Sequence, residues 1–332
     1  MKILFVGNEK PNNIHKAFAD TIKADFWGYS QNSTKTILKN MKNIPKGYDI
    51  YLTEGLFAYV YLAKKMGYLN KKAKIVNIFG DPRLFQILEG KQFCFKTLRI
   101  KKYSTLKRKL MINAIKGLYG AICIGNFQKN LLKKISPKTK EIVVYPFIDS
   151  GFLKNNSKLD KNNIIFIGNG PDHYCKGLDF LIKICLELKI NLFILGKDLG
   201  HLEKKYRKFK EINFVGFQDK KGLEKYMKNS SLCCHFGRGE AFGAAVLECM
   251  AAGIPAMVSN LTGVKEAVGK ARKDFVFSFK EKDRIKKEIG NYFKKSTKER
   301  QKLGKEFKKE AKFFEKKRCV NIFKGKFNEL LK

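Results

Sequence analysis

Acid is scarce in this sequence. Across 332 residues, 30 Asp and Glu stand against 69 Lys and Arg, a formal net charge of +39. That balance excludes a surface of matched ion pairs, the pattern of a charge-rich thermophile surface. It points to an anionic partner: a phosphate-bearing substrate, an anionic membrane face or nucleic acid. Between Glu89 and Glu141 there is no acidic residue at all. Histidine is scarce too, four in all, and the eight cysteines are scattered, with Cys233 and Cys234 adjacent. Neither a metal-ligand spacing nor a disulfide framework can be assembled from these. The cysteines are therefore read as small, reduced core residues of a cytosolic protein. No run approaches the ~18 consecutive apolar residues of a membrane span. Met1-Lys2 leads directly into a strand-like stretch, so no signal peptide is expected.

What is present is an alternation of short apolar runs and helical patterns. The length exceeds what one core usually supports, so two domains are expected. Lys2 to Gly7 reads as a buried strand, His15–Ile22 as the first helix. Asp49–Thr53, Ile75–Phe79, Leu118–Ile124 and Ile142–Tyr145 follow as strands, with helices over Phe57–Met66 and Asn126–Lys134. After a polar linker, Ile164–Gly168, Asn191–Gly196, Ile212–Gly216, Ser230–His235 and Ile254–Ser259 repeat the pattern. This predicts an α/β fold of two Rossmann-like doubly wound domains, spanning 1–150 and 151–310. Lys280–Lys298 and Lys302–Leu331 read as helical, and residues 311–332 as a last helix packing back on the first domain. Ligands in such sheets bind beyond the carboxyl ends of the strands. Asp81 and Arg83, just past Ile75–Phe79, are so placed; a turn or N-cap role for Asp81 is the local alternative.

The stretch from His235 to Gly269 carries the chemistry. Gly237-Arg238-Gly239 leads to Glu240, then Phe242-Gly243 and a helix over Ala244–Ala252, stopped by Gly253 and Pro255. Glu248 lies about two turns into that helix. A helix N-terminus offers unpaired N–H groups and partial positive charge to an anion such as a diphosphate, and Gly243 removes the side chain that would hold it off. Two carboxylates flanking that site suit sugar hydroxyls. Either Glu alone reads as an ordinary helix acid; the pair, with its glycine-rich approach, favours a site.

EAFGAAVLECMAAGIP resembles the E-x7-E signature of retaining nucleotide-sugar glycosyltransferases of the GT-B fold, family 4. AICIGNFQKNLLKK resembles the family's vsefqkelL segment, and the strands from Ile164 to His235 follow its succession. The resemblance implies two Rossmann-like domains facing across a cleft, a nucleoside-diphosphate sugar as donor, no cofactor and no metal. It implies that Glu240 contacts the donor sugar, Glu248 the ribose hydroxyls, and Lys176, with the N–H groups of Phe242, Gly243 and Ala244, the diphosphate. Gly168 and Gly196 close strands beside the donor, and Phe217 falls where the base pocket forms, with a core role as its alternative. The family usually carries an Arg where this chain has Asn169; Arg238 is our own candidate for the missing charge. Gly7 stands at the family's glycine-rich first loop without its second glycine. Asp81 falls in the loop that faces the reacting sugar and acceptor, and the acceptor is expected to be a glycan or lipid-linked sugar.

Residues 91–117, with Lys101, Lys102, Lys107 and Arg108 among interleaved apolar residues, read as basic amphipathic helical material. The missing acids favour a face lying on an anionic membrane over a solvated helix, which implies a cytoplasmic protein peripheral on the inner face of the cell membrane. No recognised nucleic-acid motif accompanies the charge, so nucleic acid is disfavoured. Two alternatives remain open: a sugar-nucleotide epimerase-like enzyme, and a non-catalytic polyanion binder on the same scaffold.

Overall fold

A computed structural model describes residues 1–29, 41–94, 99–169 and 173–332. The described residues of 1–92, 100–146 and 317–332 form one compact unit, and those of 93–99 and 147–316 a second.

The first unit is built on six parallel strands. In chain order they are β1 (Ile3–Asn8), β2 (Asp25–Tyr29), β3 (Ile50–Glu54), β4 (Lys74–Phe79), β7 (Gly120–Ile124) and β8 (Lys140–Val144), and they lie in the order β2-β1-β3-β4-β7-β8. Their near-continuous burial is what a sheet covered on both faces requires. Helices α1 (Asn13–Thr21), α2 (Phe57–Lys65), α3 (Arg83–Glu89), α4 (Thr105–Lys116) and α5 (Asn126–Ile135) make the crossovers. The Asn12 side chain accepts from the Ile14 N–H at 2.9 Å and so starts α1 with His15 in its first turn. The C-terminal helix Lys316–Leu331 belongs to this unit from residue 317. It buries Cys319, Phe323, Phe327 and Leu330, stacks Phe323 on Phe18 at 4.5 Å, and reaches the Val143 carbonyl with Lys326 Nζ at 2.7 Å.

Two readings of the sequence are corrected in this unit. Residues 91–117 are not one helical stretch. Gly90, left-handed at φ 65°, ends α3. Then β5 (Lys91–Cys94) and β6 (Arg99–Lys102) pair as a separate two-stranded sheet, and only Thr105–Lys116 is helical. The second is Arg108. Its guanidinium turns inward, donating to the Ile87 and Leu88 carbonyls at 2.7 and 3.3 Å. These are orphan acceptors at the end of α3, so the Arg108 guanidinium serves as a C-terminal cap. Lys101, Lys102 and Lys107 are exposed, beside the exposed side chains of Ile100 and Leu106.

The second unit repeats the plan. β9 (Asn163–Ile167), β10 (Asn191–Leu195), β11 (Ile212–Gly216), β12 (Leu232–His235), β13 (Ala256–Ser259) and β14 (Val276–Phe277) lie parallel in the order β11-β10-β9-β12-β13-β14. The helices are α6 (Ser150–Lys154), α7 (Leu178–Leu188), α8 (Gly200–Tyr206), α9 (Lys220–Lys228), α10 (Ala244–Ala251), α11 (Lys265–Ala271), α12 (Lys282–Lys294) and α13 (Thr297–Ala311). The expected helices over 280–298 and 302–331 are redivided. Ser296 forms a reciprocal capping box with Glu299 that starts α13, and a short 3-10 turn, Lys312–Phe314, separates α13 from the C-terminal helix. Phe307 is wholly buried, whereas Phe313 is 44% exposed.

Candidate functional site

In the second unit the strand order reverses at β9, whose neighbours are β10 and β12. The loops after β9 and β12 therefore flank the crevice where an open parallel sheet receives a ligand. Lys176 comes from the first loop and Glu240 from the second, and they meet at 2.6 Å. Gly177 makes that approach possible. It is left-handed at φ 74°, and a Cβ there would collide with the Phe236 carbonyl. The loop after β12 is pinned along its backbone. Arg238 N–H donates to the Cys175 carbonyl at 2.6 Å, Gly239 N–H to Leu261 at 2.9 Å, and Ser259 Oγ to Gly237 at 2.5 Å. Val264 N–H donates to Phe242 at 2.8 Å.

Glu240 is the electrostatic centre. Its side chain is 16% exposed, one oxygen faces Lys176 Nζ, and the other is hydrogen-bonded to Nε2 of buried His235. His235 is fixed in turn by stacking on Phe166, ring centroids 5.8 Å apart and planes 6° apart. Burial pushes the Glu240 carboxyl up, but attraction by Lys176 and His235, with hydrogen bonds from both, outweighs it and holds the pKa well below the usual carboxylate range. Glu248 is its opposite. Burial, with a smaller contribution from Asp149, pushes it up to about 7. The two carboxyls of the signature thus have different ionisation, set by environment.

Gly243 sits at φ 100° immediately before α10, a backbone conformation that favours glycine. No side chain caps this helix and its first turn holds no acid, which suits an anion there. Ala244 opens the helix; Phe242 is buried, its ring 5.9 Å from that of Phe314. At the carboxyl end of β9, Asn169 accepts from the Lys197 N–H at 3.1 Å. Gly168 and Gly196 face one another closely there, since a Cβ at Gly196 would overlap the Gly168 carbonyl. Phe217, past β11, is 63% exposed with Lys197 Nζ 4.2 Å from its ring centre, so it is not the core residue of its alternative reading.

Arg238 is placed differently from the charge replacement expected of it. Its guanidinium bridges both oxygens of Asp179 at 2.7 and 3.2 Å and donates to the Tyr174 carbonyl at 2.7 Å. It also lies over the rings of Tyr174 and Phe279, at 4.2 and 4.6 Å. Its donors hold the loop together, and Lys176 is the cation that meets Glu240.

The first unit has its own cluster. Asp81 Oδ1 accepts from the Arg83 N–H at 2.9 Å, and Oδ2 lies 3.1 Å from the Arg83 guanidinium, which also donates to the Gly55 carbonyl. The turn role weighed for Asp81 is thus filled. Gly7 is buried at the end of β1, with Glu54 Oε2 beside it. Glu54 and His15 pair at 2.7 Å. Neither His15, Glu54 nor His235 stood out in the sequence, because none sits in a spacing that marks chemistry. Their positions next to strand ends were the available signal. No group of three or more His, Cys, Asp or Glu suited to a metal occurs among the described residues. Among those residues no helix is long and apolar enough to cross a membrane.

Residues 149–310 match the family model for glycosyl transferases group 1. A curated relative, an uncharacterized 41.2 kDa protein in the cps region of Klebsiella pneumoniae, is 24% identical over 135 residues, covering 40% of this chain and 37% of that protein. Solved structures match over the whole chain. HepE of Anabaena in complex with UDP-glucose has a TM-score of 0.69 at 13% identity, covering 100% of this chain and 99% of that one. Sucrose-phosphate synthase of Thermosynechococcus elongatus has 0.76 at 10% identity, with 100% and 99% coverage. At these identities the structural likeness shows the fold.

Proposed function

The protein has the GT-B fold and its residues 149–310 match the glycosyl transferases group 1 family; from that premise we propose that it is a glycosyltransferase that moves a sugar from a nucleoside-diphosphate donor to a hydroxyl acceptor with retention of configuration. The observation that carries the reading is the Lys176–Glu240–His235 network, half-buried at Lys176 and Glu240 and buried at His235, at the strand-order reversal of the second unit. Glu240, kept ionised, accepts hydrogen bonds from donor-sugar hydroxyls. Lys176 and the N–H groups leading into α10 balance the charge that develops on the departing diphosphate, without a metal. Glu248 takes the ribose hydroxyls, and exposed Phe217 offers a stacking face for the base. UDP-glucose, present in the HepE crystal, is the first donor to try. A glycan or lipid-linked sugar is the acceptor. Lys101, Lys102 and Lys107, with exposed Ile100 and Leu106, rest on an anionic membrane surface.

The test is nucleoside-diphosphate release from UDP-, GDP- and ADP-sugars by the wild-type chain and by Glu240→Gln. The wild type releases one of them, and the variant, folded by circular dichroism, is slower by about 100-fold or more. Equal rates in the two proteins would remove Glu240 from the chemistry.

A further inference from the structure

The loops after β10 and β11 run side by side in the second unit. Leu195 pairs with Gly216 after a register shift past Ile194, and the Gly196 N–H donates to the Gly216 carbonyl at 3.0 Å. The Lys197 N–H is held from the end of β9 by the Asn169 side chain, at 3.1 Å. These bonds set exposed Lys197 against Phe217, with Nζ 4.2 Å from the ring centre and Phe217 63% exposed. Neither side chain fills the core, and a cation over a solvent-exposed ring is held only weakly. Along the segment that carries the ring, the open hydrogen-bonding groups are donors. The N–H groups of Phe217 and Gln218 have no hydrogen-bond partner among the described residues. The acceptors there are engaged: Gln218 Nε2 donates to the Val215 and Phe217 carbonyls at 3.3 and 3.0 Å. Asp219 Oδ1 accepts from the Gly222 N–H at 2.8 Å as the cap of α9. A lysine ammonium adds donors and no acceptor. Nucleobases differ in what they offer such a surface: uracil and guanine present a ring carbonyl where cytosine and adenine present an amino group.

We propose that Lys197 selects the base of the nucleotide donor, and that this base is a keto base, uracil or guanine. Stacking on an aromatic face is open to any base. A base stacked on Phe217 takes the place of the ammonium and moves it to the base edge. There Lys197 donates to a ring carbonyl, whereas the amino group of cytosine or adenine sets donor against donor. The proposal rests on the reading of the chain as a nucleotide-sugar transferase, with Phe217 as the stacking face, and narrows its donor. The carboxylate nearest in sequence, Asp198, is also exposed. It accepts hydrogen bonds, so the opposite preference is the signature of Asp198 reading the base in place of Lys197.

The test is calorimetric titration of the full chain with UDP, CDP, inosine diphosphate and ADP, for wild type and Lys197→Met. Within each pair, UDP with CDP and inosine diphosphate with ADP, a ring carbonyl replaces an amino group. Wild type favours the keto member by about tenfold or more, the size of one hydrogen bond to a charged group. Lys197→Met keeps the unbranched stem without the charge, and the ratio falls to near one. The ratio, unlike the affinity itself, does not respond to the general attraction of a chain of net charge +39 for phosphate. Lys197 is exposed, so the substitution leaves the core alone. A keto preference in one pair only supports the proposal and assigns the ring as pyrimidine or purine. Equal binding within both pairs, a preference for the amino member, or an undiminished ratio in Lys197→Met overturns it while leaving the donor site in place. No binding of any of the four by wild type overturns the donor reading and this proposal together.

Discussion

Glu240 and Glu248 share a helix approach and differ in charge because they differ in neighbours. Lys176 and His235 crowd Glu240, whereas nothing cationic offsets the burial of Glu248. A carboxyl raised to about 7 in the folded chain from an ordinary value of 4.5 holds its proton more firmly when folded. The stability it permits is therefore full below about pH 4.5 and declines as pH rises through 7. Glu248→Gln should flatten the fall of Tm between about pH 5 and pH 8; a profile identical to wild type would contradict the placement. If ribose hydroxyls select the ionised form, calorimetric titration of the donor near pH 6 should also show proton release to buffer, absent in Glu248→Gln.

At the scale of elements, the turn after β9 decides whether Lys176 reaches Glu240. Gly177→Ala introduces a left-handed alanine, costing roughly 1–3 kcal/mol, and a collision with the Phe236 carbonyl. Both a lowered Tm and weakened donor binding are expected; a variant as stable as wild type would show the turn to be pliable. This is also the scale at which sequence and structure compare best. Strands of the second unit were legible because parallel strands covered on both faces are apolar runs closed by glycine, as in Ile164–Gly168. Residues 91–102 were misread because bases and apolar residues alternate closely there, and basic interleaving suits either a strand or a helix. Only Gly90 marked the break. At the site, Lys176 and Glu240 were legible through their motif, while His235 and the His15–Glu54 pair were not, since strand-order reversal is a property of the sheet. Arg238 looked like a spare cation until Asp179, 59 residues away, was seen to hold it.

For the whole molecule the governing number is the net charge of +39. Much of it is solvated lysine, but Lys101, Lys102 and Lys107 are exposed and close in sequence to exposed Ile100 and Leu106, and a near-surface base adds about 1 kcal/mol of attraction to an anionic bilayer. Binding to phosphatidylserine vesicles should weaken with salt and be largely lost when all three lysines are reversed to Glu. Undiminished binding by that variant would move the contact elsewhere. The central claim, that the second unit holds a nucleoside-diphosphate sugar at Lys176, is tested most directly by thermal shift with UDP-, GDP- and ADP-sugars. A ligand at 100 times its Kd adds about 2.7 kcal/mol to the folded state. The account predicts that one of these donors raises the Tm of the wild type and that Lys176→Ala abolishes the rise; no rise with any donor, or an equal rise in the variant, would contradict it.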